Sequence, residues 1–95
     1  MRARRIILVG STGSIGCNTL EVLEHLKVQG HVLEVVALAA GVNHALLQTQ
    51  AQQFNVPVVA LSDTTASEAF GGSSRVLSGE DSAAELVAEV AQPGD

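Results

Sequence analysis

Phe54 and Phe70 are the only Phe, Tyr or Trp residues in the chain. Proteins that grip single-stranded nucleic acid usually stack bases on such rings, so their scarcity argues against that class. Cations are also few, five Lys and Arg against ten Asp and Glu, for a net charge of −5. Only Arg2, Arg4 and Arg5 cluster, so no basic face is available for a DNA or RNA backbone. One cysteine, Cys17, precludes an internal disulfide and fits a reducing cytosol. No apolar run approaches membrane-spanning length. The opening "MRARRIILVG" has too short an apolar run for a signal peptide and leads straight into a polar glycine turn. The expectation is a cytoplasmic, soluble protein without nucleic-acid or membrane partners.

Apolar residues make up 46% of the 95, enough for one small core built from Leu, Val, Ile and Ala. Their pattern alternates between strand and helix. Residues 5–9 ("RIILV"), 33–40 ("LEVVALAA"), 58–61 ("VVAL") and 75–77 form short, largely β-branched or aliphatic runs bounded by turn residues. Between them lie helical patterns at 14–26, 43–54 and 63–70, and a last helix begins near 78–82 and stops at Pro93 and Gly94. In the first helix Ile15, Leu20, Val22, Leu23 and Leu26 are expected on one side. The segment 27–31, "KVQGH", is expected as a turn. The order βαβαβαβα predicts an α/β fold, a Rossmann-like, partial doubly wound parallel sheet with helices on both faces. Residues 1–95 form one domain, and the terminal "QPGD" is a loop signal that would normally lead into another strand.

The stretch "RRIILVGSTGSIGCNTLEVL" (4–23) sets Gly10, Gly13 and Gly16 three apart between the first strand and the first helix. Strand, glycine turn and helix together place a dinucleotide pyrophosphate on backbone N–H groups at a helix N-terminus. Gly10 suits the sharp exit from the strand, Gly13 leaves room for a ligand, and Gly16 lets the helix pack closely. Ser11, Thr12 and Ser14 add hydroxyl donors. The spacing is G-x-x-G-x-x-G and not the standard G-x-G-x-x-G. Three glycines with three hydroxyls exceed what a tight turn alone requires. At the end of the second strand, "ALAAGVNH" carries no carboxylate to hold a ribose 2′-OH, and Glu34 lies at the wrong end. That favours NADP over NAD, although no Arg or Lys sits there.

The run G-S-T-G-S-I-G-x-x-T-L at 10–20, with A-L-x-A-G-x-N at 37–43, resembles the 1-deoxy-D-xylulose 5-phosphate reductoisomerase family at its N-terminal NADPH-binding domain. "QAQQFNVPVVALSD" and "VLSG" match looser family features in the right order, so the likeness covers nearly all of the chain. It implies that Thr12, Gly13, Ser14 and Ile15 contact the NADPH pyrophosphate and adjoining ribose. Gly41 and Asn43 would flank the adenosine 2′-phosphate. Between them many members carry a lysine, where this sequence has Val42, and His44 is a poor replacement when neutral. The connection between the first helix and second strand is a few residues longer than usual. Family members have three domains and about four hundred residues, more than one domain holds. The catalytic and C-terminal domains, the carboxylates for a divalent metal (Mg or Mn) and the substrate-binding side chains would lie beyond position 95. The resemblance therefore assigns no catalytic residue and no metal ligand here, and implies that this chain alone is inactive. The full enzyme, expected as a homodimer, would convert 1-deoxy-D-xylulose 5-phosphate to 2-C-methyl-D-erythritol 4-phosphate in non-mevalonate isoprenoid synthesis. Two alternatives stand beside it: the NADP-binding domain of another dehydrogenase, such as one like aspartate-semialdehyde dehydrogenase, or a non-catalytic nucleotide-binding module.

Other polar residues point to ordinary surface roles. His25, His31 and His44, spaced six and thirteen apart, match no metal-ligand pattern. Cys17 at a helix start reads as a small, partly buried residue. Glu80, Asp81, Glu85 and Glu89 read as a solvated helix face with acids near its N-terminus. Nothing resembles a nucleophile elbow or triad.

Overall fold

A computed structural model describes residues 4–91. Four strands alternate with four helices: β1 (Arg4–Val9), α1 (Ser14–Val28), β2 (Leu33–Ala40), α2 (His44–Phe54), β3 (Val58–Leu61), α3 (Thr64–Ala69), β4 (Arg75–Ser78) and α4 (Ser82–Val90). The expected arginine at position 2 and the helix stop at Pro93 and Gly94 lie outside the described residues. Helix boundaries follow local chemistry. Asn43 Oδ1 accepts from the Leu46 N–H at 3.2 Å and starts α2, and Asp63 Oδ1 accepts from Thr65 at 3.1 Å and starts α3.

Helix α1 runs two residues further than expected, taking in Lys27 and Val28. Its end is a Schellman motif. Gly30, at φ 97°, donates to the Lys27 carbonyl, and His31 donates to that of Leu26. The left-handed residue is the stop signal, and it lies at Gly30. Helix α2 ends the same way with Asn55 at φ 53°, where Val56 donates to the Ala51 carbonyl.

All strand pairs are parallel, in the order β1-β2-β3-β4. One face packs under α1, α2 and α3 through Leu20, Leu23, Leu38, Leu47, Phe54 and Val59, among others. The opposite face carries the small side chains Ala37, Ala39 and Ala60 beside Val58, Ile7 and Leu77, and α4 lays the fully buried Leu86 against it. Alanine on that face lets α4 approach closely without aromatic filling. Cover on both faces explains why β2 buries five consecutive residues, 35–39, as an unbroken apolar run. A register shift between Ile6 and Ile7 leaves Val36 as the extra residue of β2.

The expected apolar arc of α1 needs correcting. Leu20 and Leu23 are buried, but Ile15 is 82% and Val22 58% exposed. At 100° per residue both lie well round the helix from the Gly16–Leu20–Leu23 line that meets the sheet. Helix α4 runs back across β4, β3 and β2, and Arg5 Nη2 donates to the Val90 carbonyl at 3.0 Å. Helix α4 thus lies on the face opposite α1, α2 and α3. The turn after β1 lies at the carboxyl ends of the strands, the end outside which open α/β sheets bind ligands.

Candidate functional site

The three glycines of the turn after β1 answer three different needs. Gly10 has φ 79°, a backbone state that other residues rarely adopt. Its N–H and that of Ser11 both donate to the Ala39 carbonyl, at 2.8 and 3.0 Å, stitching the turn to the end of β2. A Cβ at Gly16 would lie 2.2 Å from the Gly10 carbonyl oxygen and 2.7 Å from the Ser11 Cα, so α1 can start here only with glycine. Gly13 is different. Its φ is −75°, and a Cβ there would meet only the Gly10 oxygen, at an ordinary 3.5 Å. Among the described residues nothing crowds position 13 enough to require glycine.

Gly13 is the N-cap of α1 and brings no side-chain cap, and its own N–H is taken by the Gly10 carbonyl at 3.2 Å. Among the described residues none accepts from the amides of Thr12, Ser14 or Ile15. The first turn of α1 carries no acidic side chain to offset its partial positive charge. Three bare donors at the head of a 15-residue helix, beside a glycine whose missing Cβ leaves space, fit an anion. Ser14 is exposed and Thr12 half-buried, so both hydroxyls can join. Ser11 cannot. It is fully buried with Oγ unpartnered, which corrects its expected role as a phosphate donor.

The loop after β2 lies at the carboxyl end of the neighbouring strand, Val9 being paired with Ala39. Asn43 forms an inverse γ-turn (φ −84°, ψ 73°; His44 N–H to Val42 carbonyl, 2.9 Å) while its Oδ1 caps α2. Its side-chain NH₂ remains for a ligand. Gly41 accepts from Asp63 through its carbonyl, and a Cβ on it would sit 3.6 Å from Ser62 Oγ, so this glycine too is not imposed by crowding. Val42 is 66% exposed between them. His44 is half-buried with Nδ1 unpartnered.

Elsewhere the surface readings agree with the coordinates. His25, His31, Glu80, Asp81, Glu85 and Glu89 are exposed, with Glu89 paired to Arg75. Cys17 is half-buried, its thiol 3.7 Å from the Ser11 and Thr12 carbonyls. Among the described residues no three His, Cys, Asp or Glu side chains converge as a metal cage, and none is assigned to one. No described helix is long and apolar enough to cross a membrane. One residue escaped the sequence reading. Gln50, on α2, is 5% exposed and donates through Nε2 to the Ser11 carbonyl at 2.8 Å. Its only signal was position, since a glutamine three residues after Leu47 and next to Ala51 falls on the buried arc.

Comparison with known proteins agrees with this geometry. The profile of the 1-deoxy-D-xylulose 5-phosphate reductoisomerase family matches residues 6–92. The reductoisomerase of Haemophilus ducreyi is 38% identical over 92 residues, covering 90% of this chain and 22% of that protein. That of Crocosphaera subtropica is 39% identical over 99 residues, covering 97% and 23%. The chain thus spans less than a quarter of the length of these relatives. Among solved structures, the reductoisomerase of Zymomonas mobilis in complex with NADPH superposes with a TM-score of 0.72 at 25% identity, over 93% of this chain and 23% of that one. A magnesium complex of DOX-P reductoisomerase shares the fold, with a TM-score of 0.72 at 20% identity over 98% of this chain and 23% of that one. With nearly its whole length matched, the chain belongs to the 1-deoxy-D-xylulose 5-phosphate reductoisomerase family.

Proposed function

We propose that this chain forms the NADPH-binding part of a 1-deoxy-D-xylulose 5-phosphate reductoisomerase. The observation that supports it most is the pairing of bare amides at Thr12, Ser14 and Ile15 with a glycine at 13 that the fold does not need. In this reading those amides hold the pyrophosphate, and the open face of Gly13 lets it approach. The exposed Ile15 side chain borders the adjoining ribose. Gly41 and Asn43 flank the adenosine ribose with its 2′-phosphate, and the absence of an acid at the end of β2 spares that phosphate repulsion.

When bound, NADPH supplies the hydride that reduces the aldehyde formed by rearrangement of 1-deoxy-D-xylulose 5-phosphate, giving 2-C-methyl-D-erythritol 4-phosphate. This chain's contribution is to bind and orient the cofactor. Catalytic side chains and metal ligands are assigned to the parts of its relatives that it does not span. Calorimetric titration of the folded chain with NADPH, NADH and 2′-phospho-AMP tests the reading. NADPH is expected to bind more tightly than NADH, with no NADPH consumed when substrate and Mg²⁺ are added. Failure of a folded chain to bind any of the three would contradict cofactor binding. Turnover would contradict the placement of catalysis elsewhere.

A further inference from the structure

We propose that Gln50 is a positioning residue that aims the Thr12 amide at the cofactor diphosphate, an inference resting on the cofactor reading above. The peptide joining Ser11 and Thr12 is planar and trans, so its carbonyl and its N–H point in opposite directions. Gln50 Nε2 holds that carbonyl at 2.8 Å from the interior side, with the Cys17 thiol 3.7 Å from the same oxygen. The Thr12 N–H is therefore turned outward.

The other peptides of the turn are fixed by backbone partners. Gly10 and Ser11 donate to Ala39, and Gly13 donates to Gly10. Among the described residues no backbone N–H bonds the Ser11 carbonyl. Without Gln50 the Ser11 carbonyl keeps only the weak, 3.7 Å contact of the Cys17 thiol, and a rotated 11–12 peptide would present a carbonyl lone pair where the diphosphate needs a donor.

Gln50 does this at a cost that a filler would avoid. It lies between α1 and α2, beside Cys17, Leu20 and Leu46, and its Oε1 is buried with no partner. An apolar side chain of equal length would fill that space without a stranded acceptor. The donor half of the amide is what the position uses, and it reaches across 39 residues of sequence to the turn.

The test compares the 95-residue chain with Gln50→Met, which keeps length and loses the donor, using NADPH and adenosine 2′-monophosphate as probes. Loss of one directed donor to a charged diphosphate is expected to weaken NADPH about tenfold. Adenosine 2′-monophosphate, lacking the diphosphate, is expected to bind both chains equally. The Ser11 carbonyl ¹³C resonance of the free protein should move upfield as its hydrogen bond is lost. Equal NADPH affinity in a folded Gln50→Met chain, or equal loss for both probes, would overturn the proposal while leaving the cofactor reading intact. Failure of the wild-type chain to bind NADPH would remove the cofactor reading itself. If Gln50→Met does not fold, a through-bond coupling between Gln50 Nε2 and the Ser11 carbonyl carbon decides on the wild-type chain. It is expected to persist when NADPH is added, and its absence in the NADPH complex would overturn the proposal.

Discussion

Gly13 and Gly16 differ by three positions and by the reason each is glycine. Alanine at 16 would drive a Cβ into the Gly10 carbonyl and the Ser11 backbone, neither of which can yield without undoing the turn. Gly16→Ala is expected to cost about 3 kcal/mol, read as a lower denaturant midpoint. Gly13→Ala meets only an ordinary contact and should cost about 1 kcal/mol or less, as for a weakened N-cap. Its effect should fall on NADPH affinity instead, since its Cβ fills ligand space. Val42→Lys adds a cation beside the expected 2′-phosphate. A partly exposed pair of this kind is worth about 1 kcal/mol, so NADPH should gain roughly fivefold over NADH. An unchanged ratio by competition titration would place the 2′-phosphate elsewhere. At this scale the structural roles of Gly10 and Gly16 were legible because spacing and context define them. Ser11 and Gln50 were not, because a hydroxyl's burial and a glutamine's long-range partner depend on how α2 docks on α1.

Elements begin and end where short-range chemistry tells them to, and most of that chemistry is visible in the sequence. Asn43 and Asp63 are of the residue types that cap helices, and both accept a first-turn N–H. Asn43→Ala should lower stability by about 1 kcal/mol through loss of the α2 cap, shown by a shifted thermal midpoint. Because Asn43 also stands in the proposed cofactor loop, a stability loss without any change in NADPH affinity would confine it to capping. The end of α1 was misplaced by two residues, since the stop is set by the left-handed Gly30 within the run 27–31 and not by the start of that run. The first helix also shows why apolar count is a weak guide to the buried side. Ile15 and Val22 are apolar and exposed, whereas Lys27 lies over the Phe54 ring with Nζ 5.3 Å from its centroid. Helical angle, anchored at Gly16, decides which residues meet the sheet.

The molecule as a whole is a thin parallel sheet whose two faces are closed by different means. Three helices cover one with leucines, and α4 alone covers the alanine face through Leu86. Leu86→Ala should cost about 3 kcal/mol, and in a chain of this size lower the melting midpoint by roughly 15 °C. The exposed Arg75–Glu89 pair should matter far less, with Glu89→Gln changing stability by about 0.5 kcal/mol at most. Among the described residues β1 and β4 are sheet edges, and Val9, Val32 and Val42 add exposed apolar surface. Self-association at raised concentration is the expected consequence, and a clean monomer throughout by sedimentation would contradict it. Fold class and the parallel sense of the sheet were legible because strands alternating with helices leave few alternatives, whereas the strand order β1-β2-β3-β4 comes from the structure. The return of α4 toward β1 is a contact between distant ends and left no local trace.

The central claim is that the head of α1 offers unpaired amides on which a cofactor diphosphate rests. Amide-resolved NMR titration of the chain with NADPH addresses it most directly. The Thr12, Ser14 and Ile15 N–H resonances are expected to move downfield together, saturating at one affinity, while the already bonded Gly10 and Ser11 amides move little. Saturable binding that leaves those three resonances in place, or shifts confined to other parts of the chain, would contradict it.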